Sequence, residues 1–266
     1  MSSTFVFHFL ASRYESIRGM SNSGSQENLS GQIVRSIRIP IPPTKAEQEA
    51  IAEALSDADS LIESLELLLV KKRQIKQGTS QELLTGKRRL PGFDGEWIVT
   101  TFGDLLSICH GKSQRDVESV GGQYPILASG GEIGRAENFL YDKPSVLIGR
   151  KGTVDKPQYM GTPFWTVDTL FYSVIRGSNS AKFLYYRFCL IDWMQHNEAS
   201  GVPSLNAKTI ERIEINCPRP EEQSAIATIL SDMDADMAAL ESRLAKARHI
   251  KQGMMQQLLT GKIRLV

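Results

Sequence analysis

The sequence predicts an α+β protein: one mostly β domain with helices, flanked by two long helices that form an antiparallel coiled coil. Three observations lead there. The chain writes one basic, leucine-bearing helix ending twice, IKQGTSQELLTGKRRL at 75–90 and IKQGMMQQLLTGKIRL at 250–265. Each ending closes a stretch whose apolar residues step by four and three. Between the copies, residues 91–202 repeat nothing and fall into short β-like runs broken by glycine turns.

The repeat is longer than its ending. From residue 46 to 90, about 26 of 45 positions are identical to their mates 175 residues on, too many for shared composition. Upstream the match weakens but continues, with ENLSGQIVRSIRIPIPP (27–43) beside PSLNAKTIERIEINCPRP (203–220) and one residue of slippage near the prolines. Each copy reads as a short strand, a proline stop and a long helix. IRIPIP and IEINCP alternate apolar with other residues, and the prolines end them.

In the helices, Ile51, Leu55, Ala58, Ile62, Leu65 and Leu69 match Ile226, Leu230, Met233, Met237, Leu240 and Leu244 in spacing. This is a heptad seam, the pattern of helices that lie side by side. A seam on one helix is usually ordinary core, but a seam written twice has an obvious mate in the other copy. The expected contact is antiparallel, through Ile51, Leu55, Ile62 and Leu65 on one side and Ile226, Leu230, Met237 and Leu240 on the other. Glu47, Glu49 and Glu53 come early and Lys71, Lys72, Arg73 and Lys76 late, as the helix dipole favours. Gly78 and Gly253 are expected to close or interrupt the helices, with LLTGK as a short further piece. A helix of ~32 residues would be about 48 Å long.

The middle segment opens with the turn residues of PGFDGEW. WIVTTFGDLLSICHG, YPILASGGEIGRAENF, SVLIGRKGTVDKPQYM and FWTVDTLFYSVI then read as β-like runs, and AKFLYYRFCLIDWMQHN as a helix. SGGEIG (129–134) is neither a dinucleotide fingerprint nor a phosphate loop; LTGKRR and LTGKIR also fail the phosphate-loop pattern. IGRKGT (148–153) sets Arg150 and Lys151 on a glycine-bracketed turn. Two readings stand side by side there: a grip on phosphate or a guanine edge, and an ordinary charged turn. Trp165 and Asp168 in FWTVDTLFY suit a core strand and its turn better than a catalytic pair.

Nothing in the chain spells an enzyme: the amino-methyltransferase tetrapeptide, G-x-S-x-G, H-E-x-x-H and a Walker A sequence are all missing. Asp104 and Glu132 show no partner in the sequence. Cys109, Cys189 and Cys217 are scattered, and His8, His110, His196 and His249 lie at no ligand spacing, so no metal site and no cofactor is expected. The cysteine usage fits a reducing cytosol, and a cytoplasmic protein is expected, with no membrane span or signal peptide. A net charge of +1 neither favours nor excludes nucleic acid. Within 91–202, about ten basic residues face twelve acidic ones.

The doubled signature E-Q-x-x-I-A-x-x-L-S-D-x-D … I-K-Q-G … Q-x-L-L-T-G-K-x-R-L resembles the conserved regions of the specificity (S) subunit of type I restriction–modification enzymes. PGFDGEW, SGGEIG, VLIGRKGT and FWTVDTLFY resemble one of its target recognition domains. The resemblance implies a non-catalytic DNA-recognition subunit that reads half of a bipartite double-stranded target. Its long helices would pair, fix the spacing of half-sites, and dock methyltransferase (M) subunits and, through them, restriction (R) subunits. It implies the division 1–32, tail of a first recognition domain; 33–90, first conserved strand-plus-helix region; 91–208, recognition domain; 209–266, second conserved region. Residues 1–32 resemble only the tail of the other domain, so the chain reads as a subunit lacking most of its first recognition domain. A truncated inactive scaffold remnant, a half-subunit that pairs with a second copy of itself, and a recombination cassette all remain compatible with that. The residues expected at DNA are Ser129, Gly130, Gly131, Arg150, Lys151, Gly152 and Thr153, with Ser200 and Gly201 from the turn SGVPS.

Overall fold

A computed structural model of the chain describes residues 1–20 and 28–265. The expected tail at 1–32 therefore lies partly outside the described residues. The fold is α+β, as the sequence predicts. In chain order the elements are α1 (Ser3–Ser12), α2 (Tyr14–Arg18), α3 (Gly31–Ser36), α4 (Lys45–Leu84), β1 (Ile98–Thr101), α5 (Phe102–Leu105) and β2 (Leu106–His110). Then come β3 (Tyr124–Ala128), β4 (Gly131–Ala136), β5 (Ser145–Gly149), β6 (Gln158–Met160), β7 (Trp165–Thr166), β8 (Leu170–Ile175) and α6 (Ala181–Phe188). A 3-10 turn (Trp193–His196), α7 (Ala207–Glu211), β9 (Glu214–Cys217) and α8 (Pro220–Leu258) complete the chain. It divides into two compact units, Met1–Gln74 with Ala235–Val266, and Ile75–Asp234.

In the first unit the long helices pack through Leu65, Leu69, Leu240, Leu244 and Ala247, with Ile62 and Met237 beside them. Ion pairs set the sense of the packing. Glu47 meets Arg264, Asp59 meets Lys251, Glu66 meets Arg248 and Arg73 meets Glu241, so one helix read forward meets the other read backward. The helices are antiparallel. The two exposed pairs, Glu66–Arg248 and Arg73–Glu241, contribute only ~0.2–1 kcal/mol each; their use here is to select the register.

The outer seam positions have a different role from the one the spacing suggests. Ile51 and Leu55 are buried in a cluster with Leu258 and Leu259, but also with Phe5 and Phe9 of α1. In the second unit Ile226 and Leu230 share the domain's main core with Leu83, Leu84, Phe102 and Phe183. The coiled coil proper is thus confined to the stretch around Leu65 and Leu240.

Both helices are longer than expected, 40 and 39 residues. Gly78 and Gly253 lie inside them and do not stop them. An interior glycine costs about 1 kcal/mol against alanine, which the flanking burial of Leu83, Leu84, Leu258 and Leu259 outweighs. The chain leaves the helix only at Gly86 and Gly261, whose φ of 76° and 70° few other residues adopt. The strand expected at IRIPIP does not form, whereas its mate β9 does, paired antiparallel with β1. A strand needs a neighbour, and Pro40 has no N–H to offer one.

Helix α1 sits on the first copy as α6 sits on the second. Ser2 caps α1 and its N–H donates to Gln48 Oε1 at 2.9 Å; Ser180 caps α6 and its N–H donates to Gln223 Oε1 at 2.9 Å. His8 Nε2 lies 3.1 Å from Ser56 Oγ, while Tyr186 Oη lies 3.4 Å from Ser231 Oγ and donates to Asp234 at 2.7 Å. His8 is buried, and burial pushes its pKa below the ordinary value, helped by Lys251 and opposed by Asp59. The fold therefore favours neutral His8, while the unfolded chain takes up a proton near pH ~6.5. This stabilisation is complete above that value and is lost as pH falls through the lower folded pKa. Unfolding midpoints measured from about pH 7 to 5 should fall, and fall less in His8→Tyr, which puts a hydroxyl there, as Tyr186 does in the second copy, and does not titrate in that range.

The second unit holds the β domain. A four-stranded antiparallel sheet runs β2-β8-β5-β6, and a three-stranded sheet runs β4-β3-β7 with β3 and β7 parallel. All five residues of β5 are buried, which explains the apolar run VLIG, and Ser145 at its head donates to Ser173 O at 2.8 Å. Two expectations are corrected. The run WIVTTFGDLLSICHG contains a helical turn, α5, because Asp104 accepts from Thr101 N–H at 2.9 Å and completes a capping box. The helix expected over AKFLYYRFCLIDWMQHN ends at Phe188, whose carbonyl accepts from Trp193 Nε1 at 2.9 Å before the 3-10 turn capped by Asp192.

Candidate nucleic-acid interface

Three loops of the second unit converge. The first is the turn from β3 to β4, with Ser129 and Gly131 half-buried and Gly130 exposed. The second leaves buried β5 as Arg150–Thr153. Here Gly152 has a φ of 86°, and a Cβ on Gly149 would run into the Thr153 carbonyl, so both positions call for glycine. The third is the loop 197–204. Its shape comes from Asn197, whose Oδ1 accepts from Ala199 N–H at 3.1 Å and Ser204 N–H at 2.9 Å.

Backbone contacts tie the three together. Gly152 N–H donates to Pro203 O at 2.9 Å, Leu205 N–H to Arg150 O at 2.9 Å, and Lys151 pairs with Ser204 across an isolated bridge. A Cβ on Gly152 would lie 3.2 Å from Ser129 Oγ, so the first loop borders the second. Arg150 and Lys151 N–H both donate to Thr169 O, at 2.8 and 3.2 Å, which anchors the turn on the β7–β8 connection. Ser200 and Gly201 are exposed at the tip of the third loop. Thr153 is half-buried beside buried Val154, a hinge of the turn more than a reaching group.

The Arg150 guanidinium is held, not loose. Nη1 donates to the Asp168 carbonyl at 3.2 Å and lies 4.0 Å from its carboxylate. Asp168 thus orients Arg150 while staying largely exposed itself. Lys151 is exposed. Nearby, Lys112 N–H donates to Thr166 O at 2.8 Å, and the Lys112 carbonyl accepts from Trp165 Nε1 at 3.0 Å. Lys112 is exposed and Trp165 only half-buried, so this tryptophan is not the core residue its strand suggests. Sequence reasoning left out Lys112 and Asn197. The signal for Asn197 was present, an asparagine ahead of the small-residue loop EASGVPS. Lys112 had none, because its neighbours come from 54 residues downstream.

The arrangement is suited to holding an anion or a base edge, with backbone turns that allow close approach. Glu132, unpartnered in the sequence, pairs with Arg135 at 2.9 Å. Burial raises the pKa of all three cysteines, Cys217 to about 11, so none is a ready thiolate near neutral pH. Among the described residues, no group of three or more His, Cys, Asp or Glu could hold a metal ion, and no helix is long and apolar enough to cross a membrane.

The model of the type I restriction modification DNA specificity domain matches this chain over residues 2–72 and 94–247. The chain belongs to the type I restriction–modification specificity family. The first matched stretch ends within the first copy of the repeat, and the second takes in the middle domain and part of the second copy. Among relatives, the type I restriction enzyme EcoDI specificity subunit of Escherichia coli is 23% identical over 62% of this chain and 37% of its own length. The MjaVIII specificity subunit of Methanocaldococcus jannaschii is 22% identical over 100% of this chain and 71% of its own. The chain thus spans little more than a third of the first relative. The crystal structure of the type I S subunit from M. genitalium superposes with a TM-score of 0.76 at 18% identity, covering 97% of this chain and 72% of that one. That likeness establishes the shared fold.

Proposed function

We propose that this specificity-family chain is a non-catalytic subunit that reads one half of a bipartite double-stranded DNA target. The observation that carries this reading is the convergence of Ser129–Gly131, Arg150–Thr153 and the loop at Pro203 around two basic side chains. In this reading residues 91–208 are the recognition domain, 33–90 and 209–266 the two conserved regions, and 1–32 the tail of a first recognition domain. The helices, at ~1.5 Å per residue, are about 60 Å long, a spacer on the scale of half-sites along DNA.

The same chain docks M subunits and, through them, R subunits. An apolar stripe on α4 favours a protein partner: Leu61 and Leu68, seven residues apart, are 51% and 41% exposed, and Leu67 is 65% exposed. Their mates on α8, Asp236, Arg243 and Ser242, are charged or polar, so the stripe belongs to one helix alone.

Methylation mapping in cells that carry the chain with its M subunit tests the reading. One half of each modified site should follow the identity of residues 91–208 when that segment is exchanged. Modification that ignores the exchange would leave only a scaffold. Purified without M, the chain should transfer no methyl group from S-adenosylmethionine to DNA; labelled DNA from such a reaction would overturn the non-catalytic assignment.

A further inference from the structure

The duplication assigns a ligand to a pocket that the rest of the molecule does not explain. In the second unit, Glu222 is almost fully buried and held bidentate by Arg89, with Nε–Oε1 at 2.6 Å and Nη2–Oε2 at 2.7 Å. Trp97 completes that group. Its Nε1–H donates to Glu222 Oε2 at 3.2 Å, Arg89 lies 5.6 Å from the ring centroid, and the ring covers Gly86. Directly after Trp97 the chain becomes β1 and pairs with β9.

The first unit repeats every part of that receptor. Glu47 is the mate of Glu222, Arg264 of Arg89 and Gly261 of Gly86. Glu47 is as buried as Glu222 and is also held bidentate by Arg264, with Nη2–Oε2 at 2.6 Å. That contact lowers the Glu47 pKa and keeps it a carboxylate, an acceptor for an N–H. Around this pair lies a pocket of about 150 Å³ formed with Pro40, Ile41, Leu258 and Leu259. The two arginines differ in cover: the Arg89 side chain is 28% exposed under Trp97, and Arg264 is 50% exposed.

None of the three tryptophans of this chain is free to fill the pocket. Trp97 is engaged with Glu222, Trp193 is buried in the core of the second unit, and Trp165 is bonded to Lys112. We propose that the Glu47–Arg264 pocket is the docking site for a tryptophan-led β-strand of a recognition-domain segment other than residues 91–208. The indole N–H of that partner donates to Glu47, its ring lies under Arg264, and the following residues run along Arg38–Ile41, the mates of β9. Pro40 stands where Asn216 stands and lacks an N–H, so the strand ladder is partial and the indole carries the contact. The inference rests on the duplication and not on DNA reading, so the two can fail separately.

The test uses the intact chain and a synthetic peptide of its own residues 91–101, PGFDGEWIVTT, followed by calorimetry without DNA. The peptide should bind saturably with one-to-one stoichiometry. The Trp97→Ala peptide should bind about tenfold more weakly or worse. Glu47→Gln in the chain should weaken the wild-type peptide similarly. Because Glu47 is buried and paired, Ile41→Glu supplies a second variant at a 45% exposed position of the pocket lining, and it should weaken binding as well. No saturable binding up to about 1 mM, or binding indifferent to both chain variants, overturns the proposal.

Discussion

Leu65→Asp should unfold the helix pair of the first unit. Leu65 is 6% exposed and packs in the cluster of Leu69, Leu240, Leu244 and Ala247. A carboxylate there loses its water and meets no cation among those leucines. Stranding a buried charge costs about 3–5 kcal/mol, a large part of the stability of an ordinary domain. Urea or thermal unfolding should show the loss directly. Leu61→Asp, one turn earlier but 51% exposed, is the internal control and should change stability by less than about 0.5 kcal/mol. Equal effects from the two substitutions would mean that Leu65 does not face the partner helix.

The second large effect concerns DNA. Arg150→Ala, assayed with the M subunit present, should cost about 1–3 kcal/mol of specific binding, roughly 5- to 150-fold, and relax the preference at one base. The reason lies in the geometry: among the described residues the guanidinium is engaged through Nη1, with Asp168, which leaves Nη2 of the fork for a base edge. Lys151→Ala should weaken specific and random DNA alike and reduce the salt slope by about one, as loss of a phosphate contact does. If both variants bind with wild-type affinity and salt slope, the turn is idle and DNA is read from another face. Asp168→Asn separates orientation from charge: loss of specificity without loss of random binding marks Asp168 as the residue that aims Arg150.

Much of this architecture was legible in the linear chain because it is local or repeated. The step of four and three residues is a property of one helix, and the second copy named its partner. The alternating runs of the middle segment became β2, β3, β5 and β8. The ion pairs could have been read as well, since Arg73–Glu241 and Arg248–Glu66 occupy the same positions in the two copies. Where the sequence misled, a longer-range contact outweighed a local preference. Gly78 and Gly253 are weak helix formers, but the leucines beyond them are buried and carry the helix on to Leu84 and Leu258. IRIPIP has the alternation of a strand, but hydrogen-bonded ladders take two chains, and only β9 finds β1.

By itself, then, the sequence determined the class of the fold and the pairing of the two helices, because hydrophobic spacing and duplication are written in the order of residues; the ion pairs fixed their sense. Tertiary structure alone decided which side chains share a site. Ser129, Arg150, Asp168 and Pro203 are spread over 75 positions of the chain, and only the closing of the sheets brings their loops together. The same is true of Glu222, Arg89 and Trp97: neighbours in space have no period in sequence, so burial of the strands and helices had to place them before their chemistry could be read.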